Sequence, residues 1–387
     1  MVPEISASLF MRRFYDLRGA CQNDSPNTPP RPSFDPKASV VNPNDLSAAL
    51  AAIDRDLLNL LVKRCDLLRK LGKSVSTCIE PSVLDVLDAR VNRDAAAQWL
   101  RHANSLAFAA DHKKRVAYLG PEYSYSHLAA IKVYGDAHPM AAVATIPAVF
   151  ESIVRGDAVQ GVVPIENSTD GRVVDTLGMF VRVSVKICGE VLLPIHHNLL
   201  SRTPRESITE VHSKPQALSQ CRSWLANHLP KARLVEISST AAAAELAANQ
   251  PGIAAIASIE AGRKYGLDVI DASIEDNPNN VTRFAILGRS EPAASGNDKT
   301  TILFQVAHQP GALADAMVIF KEAGLNLTWI ESFPVPGTNS EYLFFVEAVG
   351  HMSDGNVAKA LQNLQTITLR LDVLGSYPRA TKPLSEC

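Results

Sequence analysis

Between residues 115 and 288 short apolar runs alternate with segments of helical periodicity, and this alternation limits the chain more than any other feature. Residues 116–119, 141–146, 158–165, 208–212, 234–238, 253–258 and 281–288 read as strands. Residues 127–134, 147–155, 173–181, 215–228 and 241–248 read as helices, and 185–200 as extended chain. Such a pattern predicts an α/β unit with a mostly parallel sheet. Ligands of such units sit outside the carboxyl ends of the strands. Gly, Pro and polar residues near Leu193-Pro194 and at 277–280 predict two crossings between lobes.

The flanks differ in texture. Residues 1–43 hold Pro26, Pro29, Pro30, Pro32, Pro36 and Pro43 among Ser, Asn and Asp, a composition that buries no core and predicts a leader without fixed structure. Leu46, Leu50, Ile53, Leu57, Leu60, Leu67 and Leu71 recur mostly at three- and four-residue steps, predicting one long amphipathic helix with Asp45 as N-cap and Gly72 as stop. Arg64 falls on or beside its apolar stripe, where it needs a partner or a route to solvent. A second helical region spans 83–111, with a break near Asn92. Ser290 to Asp298 reads as a linker. Beyond it strand 300–306, helix 311–323, strands 325–334 and 341–349, helix 353–364 and strand 368–374 give the βαββαβ order of a ferredoxin-like plait.

Composition excludes several classes. Lys and Arg number 38 against 40 Asp and Glu, so no basic excess points to nucleic acid. No apolar run is long enough to span a bilayer. Arg12 and Arg13 are not followed by the apolar stretch of a secretory signal. Six cysteines without a CxxC pair argue against a zinc site or disulfide framework and suit a reducing cytosol.

Five polar clusters fall at strand ends or helix starts. They are Gly120 to His127, Pro164 to Ser168 (with Glu166 and Asn167), Ser213 to Gln216, Ser238 to Ala242, and Asn280 to Phe284. Each has a plain reading. Ser126-His127 and Ser239-Thr240 are caps, and Thr282 is a β-former. Each also has a functional one, because helix-start N–H groups and hydroxyls hold a small dianion without many Lys or Arg. Gly171 is expected to open a helix just after Asn167. Arg283, a charge in a buried-looking strand, needs a partner.

In order, Leu-Gly-Pro-x-x-Ser-Tyr-Ser-His, Pro-Ile-Glu-Asn-Ser, Pro-Gln, Ser-Thr-Ala-Ala-Ala and Thr-Arg-Phe resemble the prephenate dehydratase family. Gly311-Ala312-Leu313 and Ile330-Glu331-Ser332-x-Pro334 make the plait resemble the ACT domain that follows it there. The long helix is similar to the chorismate mutase segment of the bifunctional members. Several ordered motifs together are far more specific than one. The resemblance covers residues 45–378 and implies a multidomain α/β chain. Its parts are a leader (1–43), a chorismate-mutase-like helical segment (44–112), a two-lobed periplasmic-binding-protein-like dehydratase (113–290), an ACT plait (299–378) and a tail (379–387).

The resemblance further implies decarboxylation and dehydration of prephenate to phenylpyruvate, without a cofactor or a metal. Thr282 contacts the leaving hydroxyl, and Asn167 and Gln216 orient the ring. Glu166, Ser168, Ser124, Ser126, His127, Ser213, Ser239, Thr240, Arg283 and Phe284 complete the substrate site, with Arg283 on a carboxylate. L-Phenylalanine is the implied effector, bound between two plaits at Gly311, Ala312, Leu313, Asn326, Glu331 and Ser332. The chain is expected to be a cytoplasmic homodimer or homotetramer. Arogenate is the alternative substrate, and a non-enzymatic amino-acid sensor the alternative role.

The family pattern is not kept throughout. Tyr123 stands where Gly is usual, Lys214 where His is common, and Phe333 where Arg is usual. In the mutase-like segment Ser47 and Val75 replace an Arg and a Lys, and Leu84 and Leu87 lie where charges are expected, with Asp85 and Asp88 near. Arg64 is the mutase residue kept, so little or no mutase activity is expected.

Overall fold

The computed structural model describes residues 43–71, 91–107, 115–335 and 341–380, together with 83, 85, 88 and 109. The leader up to residue 42, the expected stop at Gly72, Lys73, Val75, Leu84, Leu87 and residues 381–387 lie outside the described residues.

The chain divides into two compact units at Leu57. The first holds the opening half of helix α1 (Pro43–Leu71). Pro43 begins the helix, so Asp45 lies inside the first turn rather than capping it. Proline suits that place, since its missing N–H has no intrahelical partner there. Leu46, Leu50, Ile53 and Leu57 remain exposed along the helix, as do Leu60 and Leu67 beyond them.

The second unit contains everything else. Helix α2 (Arg93–Leu106) starts at the expected break, where the Asn92 side chain accepts the Ala95 N–H. The first lobe is built on β1 (Val116–Leu119), β2 (Met140–Val143), β3 (Gln160–Asn167), β4 (Gly171–Arg172), β5 (Lys186–Pro194) and β11 (Val281–Gly288). Their order is β2-β1-β3-β11-β5, with β4 paired to β3. Helices α3 (Tyr125–Tyr134), α4 (Ile146–Arg155) and α5 (Val174–Arg182) cover this sheet. Ser124 and Thr145 cap α3 and α4 with their side chains.

The second lobe has strand order β10-β6-β9-β7-β8. Its strands are β6 (Asn198–Ser201), β7 (Glu210–Ser213), β8 (Arg233–Glu236), β9 (Ile253–Ala257) and β10 (Asp268–Asp271). Its helices are α6 (Pro215–Gln220), α7 (Arg222–His228), α8 (Thr240–Asn249) and α9 (Ile259–Tyr265). The chain crosses between lobes after β5 and again after β10. Both sheets are mixed rather than mostly parallel. β1 pairs parallel with β2 and β3, and β7 with β8 and β9. The strands flanking the crossings, β5, β6 and β11, pair antiparallel, since they carry the chain out and back without a helical crossover.

The C-terminal plait is β12 (Asp298–Val306), α10 (Ala312–Glu322), β13 (Leu327–Pro334), β14 (Tyr342–Val349), α11 (Gly355–Ile367) and β15 (Thr368–Pro378), with strand order β13-β14-β12-β15. It shares a core with the first lobe. Leu303, Leu343, Phe345, Leu374 and Tyr377 pack in one cluster with Ile165, Leu177, Ile187, Ala285 and Leu287. Gly375 makes this approach possible: a Cβ there would lie 2.1 Å from the Ile187 carbonyl oxygen.

Candidate active site

β3 and β11 run antiparallel, with Thr282 opposite Asn167 and Arg283 opposite Glu166. Side chains alternate across a strand, so Thr282 and Asn167 share one face and Arg283 and Glu166 the other. Asn167 Nδ2 donates to Thr282 Oγ1 and to Asn280 Oδ1, both at 2.8 Å. Its Oδ1 accepts the N–H groups of Thr169 and Asp170. Both donors of the buried amide are therefore used, and the side chain holds Thr282 rather than reaching a ligand. Among the described residues the Thr282 hydroxyl donates to none, so its proton is available to a ligand.

The cluster continues into the second lobe. Asn280 Nδ2 donates to Gln220 Oε1 at 3.0 Å, and that oxygen also lies 2.8 Å from His197 Nε2. The Gln220 amide is thereby oriented, and its Nε2 donates to Asp170 Oδ2 at 2.6 Å. Gln216 Nε2, one turn earlier on α6, donates to the same oxygen. Burial pushes the His197 imidazole below its usual value, so it is neutral near pH 7. Asn167, Thr282 and Gln216 thus belong to one hydrogen-bonded cluster at the lobe crossings, with Gln216 joined through Asp170. Gly171 does not open a helix. It turns the chain with φ 78° into β4, and α5 starts at Val174 without a side-chain cap.

Other expected site residues have structural partners. Ser124 caps α3 and donates to the Leu119 carbonyl at 3.0 Å. Ser126 is buried in the first turn of the same helix. His127 stacks on Tyr118, and its Nδ1 accepts the Tyr123 N–H at 2.9 Å. Burial pushes this imidazole down as well, so His127 supplies an Nε2–H donor and not a cation. Ser168 Oγ accepts the Val281 N–H and donates to the Asn279 carbonyl, tying β11 to the β3 loop. Ser213 is fully buried and donates to the Ile256 carbonyl. Ser239 caps α8, whose first residue Thr240 is buried. Phe284 lies in the core with Tyr118 and Val162, not against a ligand.

Arg283 and Glu166 need correction. Arg283 faces away from Thr282. Its Nε lies 3.1 Å from Glu166 and its Nη1 2.5 Å from Glu347 and 3.3 Å from Glu190. Its guanidinium sits 5.2 Å from the Trp329 ring centroid. Lys299 Nζ joins Glu190 at 2.5 Å and Glu347 at 2.9 Å. The charge that needed a partner finds it in the plait, so the arginine is not free for a substrate carboxylate.

The expected effector residues are divided. Gly311 (φ 86°), Ala312 and Leu313 open α10 beyond the end of β12, whereas Asn326 precedes β13 at the opposite end of the sheet. Glu331 is paired with Arg172 of the first lobe at 2.8 Å, and Ser332 is exposed. One copy of the plait therefore does not gather all six residues.

The profile of the family described as Prephenate dehydratase matches residues 116–292, and that of the ACT domain matches 300–365. A bifunctional chorismate mutase/prephenate dehydratase of Aquifex aeolicus is 36% identical over 353 residues, spanning 87% of this chain and 98% of that protein. The chain belongs to the prephenate dehydratase family. A Mycobacterium prephenate dehydratase is 36% identical over 282 residues, 69% of this chain and 90% of its own. Among solved structures, prephenate dehydratase from Arthrobacter aurescens in complex with L-Phe superposes with a TM-score of 0.64 at 33% identity, covering 69% of this chain and 90% of that one. GqqA, described as a novel type of quorum-quenching acylase, gives 0.63 at 28% identity, covering 69% and 98%.

The departures from the dehydratase family pattern now have surroundings. Tyr123, at φ 62°, packs against the second-lobe core, with Lys264 Nζ 5.5 Å from its ring centroid, and so narrows the space between lobes. Lys214 is exposed ahead of α6. Phe333 packs toward Phe345 and α5 at the margin of the shared core. Arg64, kept from the mutase pattern, bonds the buried amide of Asn104 on α2, a neutral partner.

Proposed function

We propose that this protein removes carbon dioxide and the ring hydroxyl from prephenate, giving phenylpyruvate, as a cytoplasmic step toward L-phenylalanine. The observation that carries the reading is the Thr282 hydroxyl, held by Asn167 with its proton free. Aromatisation drives the reaction, so the enzyme's task is to ease departure of the hydroxyl. A positioned donor of this kind contributes about 10²–10⁴-fold. Holding the ring against Thr282, with Gln216 across the cleft, adds orientation. Threonine is a weak acid, so Thr282 stabilises the departing oxygen by hydrogen bonding. His127 Nε2–H and the α3 and α8 N-termini are the groups proposed for the carboxylates.

L-Phenylalanine is the proposed effector, bound between two plaits. An antiparallel pair of copies brings Asn326 of one toward Gly311 of the other, which one chain alone does not do. The exposed leucine stripe of α1 supports pairing of copies there too, giving a homodimer or homotetramer. With Arg64 facing an amide and no second family cation kept, mutase activity is proposed to be weak or absent. An acylase needs an activated nucleophile. Here Ser124 and Ser239 cap helices, Ser213 donates to a carbonyl, and burial pushes the Cys221 thiol up.

The test is to offer the purified protein prephenate, arogenate and chorismate. Phenylpyruvate from prephenate is expected, with little turnover of chorismate. Phenylalanine formed only from arogenate moves the reading to the alternative substrate. Binding without turnover of any moves it to a sensor.

A further inference from the structure

The backbone sets the direction of the hydrogen bonds around Thr282. The N–H groups of Thr169 and Asp170 donate, so the Asn167 amide turns its oxygen to them and its NH2 to Asn280 and Thr282. Asn280 then meets Asn167 with its oxygen and Gln220 with its NH2. Gln220 answers with its oxygen and turns its own NH2 to the Asp170 carboxylate, which accepts. That oxygen lies 2.8 Å from His197 Nε2, a contact that is attractive when Nε2 carries a proton and repulsive when it does not. On the far side of the ring Nδ1 lies 3.1 Å from the Tyr125 hydroxyl, which burial keeps protonated and which also donates to the His196 carbonyl at 2.7 Å. The Nε2–H tautomer satisfies every member of this chain.

The crossings between lobes place His197 for this task. It is 2% exposed, follows β5 in the first crossing, and its carbonyl accepts the Ile274 N–H from the second. The charges around it are held elsewhere. The buried Glu275 carboxylate receives the His197 backbone N–H and pairs with His196 Nδ1, both at 2.8 Å. The exposed Asp170 carboxylate receives Gln216 and Gln220. Burial pushes the Cys221 thiol, near Tyr125, up and keeps it neutral.

We propose that His197 is a positioning residue for departure of the hydroxyl: its Nε2–H holds the Gln220 amide, and through Asn280 and Asn167 it holds the Thr282 hydroxyl. The inference rests on the dehydratase reading of the same site. Both ring nitrogens are taken, by Tyr125 and Gln220, so the residue acts on the rate of the step rather than on affinity. Without this donor the Gln220 oxygen keeps one of its two partners, and the amide gains freedom to turn. A small misplacement passed along three amides to Thr282 slows the step about tenfold.

The experiment measures kcat and KM for prephenate with the full-length protein, with His197→Phe and with His197→Gln, and reads the ring nitrogens of His197 by nitrogen NMR. Phenylalanine keeps a ring and has no donor. Glutamine places an N–H where Nε2 stood. In His197→Phe kcat falls about tenfold with KM within about twofold of the parent, and in His197→Gln kcat stays within about threefold of the parent. The parent's spectrum shows a proton on Nε2. A packing role alone gives the reverse order, since phenylalanine fills the space of the imidazole better than glutamine does. An undiminished kcat in His197→Phe, an equal loss in both variants, a loss confined to KM, or an Nε2 without a proton overturns the inference while leaving the dehydratase reading intact. If His197→Phe does not fold, His197→Asn, whose shorter amide stops short of Gln220, takes its place with the same expected loss. A parent that does not turn over prephenate overturns both.

Discussion

Arg283 Nη1 and the carboxylate of Glu347 lie 2.5 Å apart across the boundary between the first lobe and the C-terminal plait. Arg283 directly follows Thr282 on β11, so the strand carrying the candidate hydroxyl is clamped from its other face by a different part of the chain. Removing one partner of a buried ion pair leaves a charge uncompensated and costs about 3–5 kcal/mol. Glu190 and Glu166 still face Arg283 and Lys299 in Glu347→Ala, so the free energy of unfolding should fall by less than that, roughly 1–3 kcal/mol, read in a denaturant titration. The same substitution should also weaken the response of turnover to phenylalanine more than the binding of phenylalanine.

The same pair predicts a pH dependence. Burial alone pushes the Glu347 carboxyl up, but Arg283 and Lys299 outweigh it and hold the group below the usual carboxylate range. A carboxyl depressed in the folded state stabilises above its unfolded pKa, about 4.3, and loses that contribution as pH falls through the lower folded value. The stability gap between the parent and Glu347→Gln should be constant from pH 7 to about 5 and shrink in stronger acid. Melting curves at stepped pH check this.

Gly375 separates packing from charge. Its missing Cβ leaves room for the Ile187 backbone, which lacks the freedom of a side chain to move away. Gly375→Ala should cost about 1–3 kcal/mol. The plait should be released from the first lobe, seen as faster proteolysis between residues 289 and 297.

Asn167 supports a prediction about turnover rather than affinity. Its amide makes four hydrogen bonds and none is left for a ligand. Asn167→Asp removes both donors, leaving Thr282 without its anchor. Turnover should fall about 10²-fold with KM changed little, as for a group that acts by orienting another.

Much of this is legible in the sequence. β1 falls at the expected residues because an unbroken apolar run defines it, and β11 does so because Phe284 to Leu287 continue the strand past the polar pair Thr282-Arg283. Helix α3 begins at Tyr125 rather than at 127 because Ser124 supplies the cap. The expected helix over 215–228 breaks at Cys221, and α9 and β10 lie outside the expected elements. Ser258 capping α9 and left-handed Gly266 ending it were the available signals. Period-2 alternation along β11 sets Arg283 on the face opposite Thr282, away from the substrate contact that the resemblance implies. Gln220 joins the cluster because it lies four residues after Gln216 on one helix face, a spacing visible in the sequence. Asp170 and His197 carry no local pattern. Their roles come from the meeting of two lobes, which single-sequence periodicity does not encode.

The most direct measurement is single-turnover formation of phenylpyruvate from prephenate by Thr282→Val and Thr282→Ser. Valine keeps the shape of threonine and removes the hydroxyl, and serine keeps the hydroxyl. The geometry around Asn167 predicts a loss of about 10²–10⁴-fold for valine and largely retained turnover for serine, both with the parent's folded spectrum. A valine variant as fast as the parent would show that the hydroxyl leaves without help from Thr282.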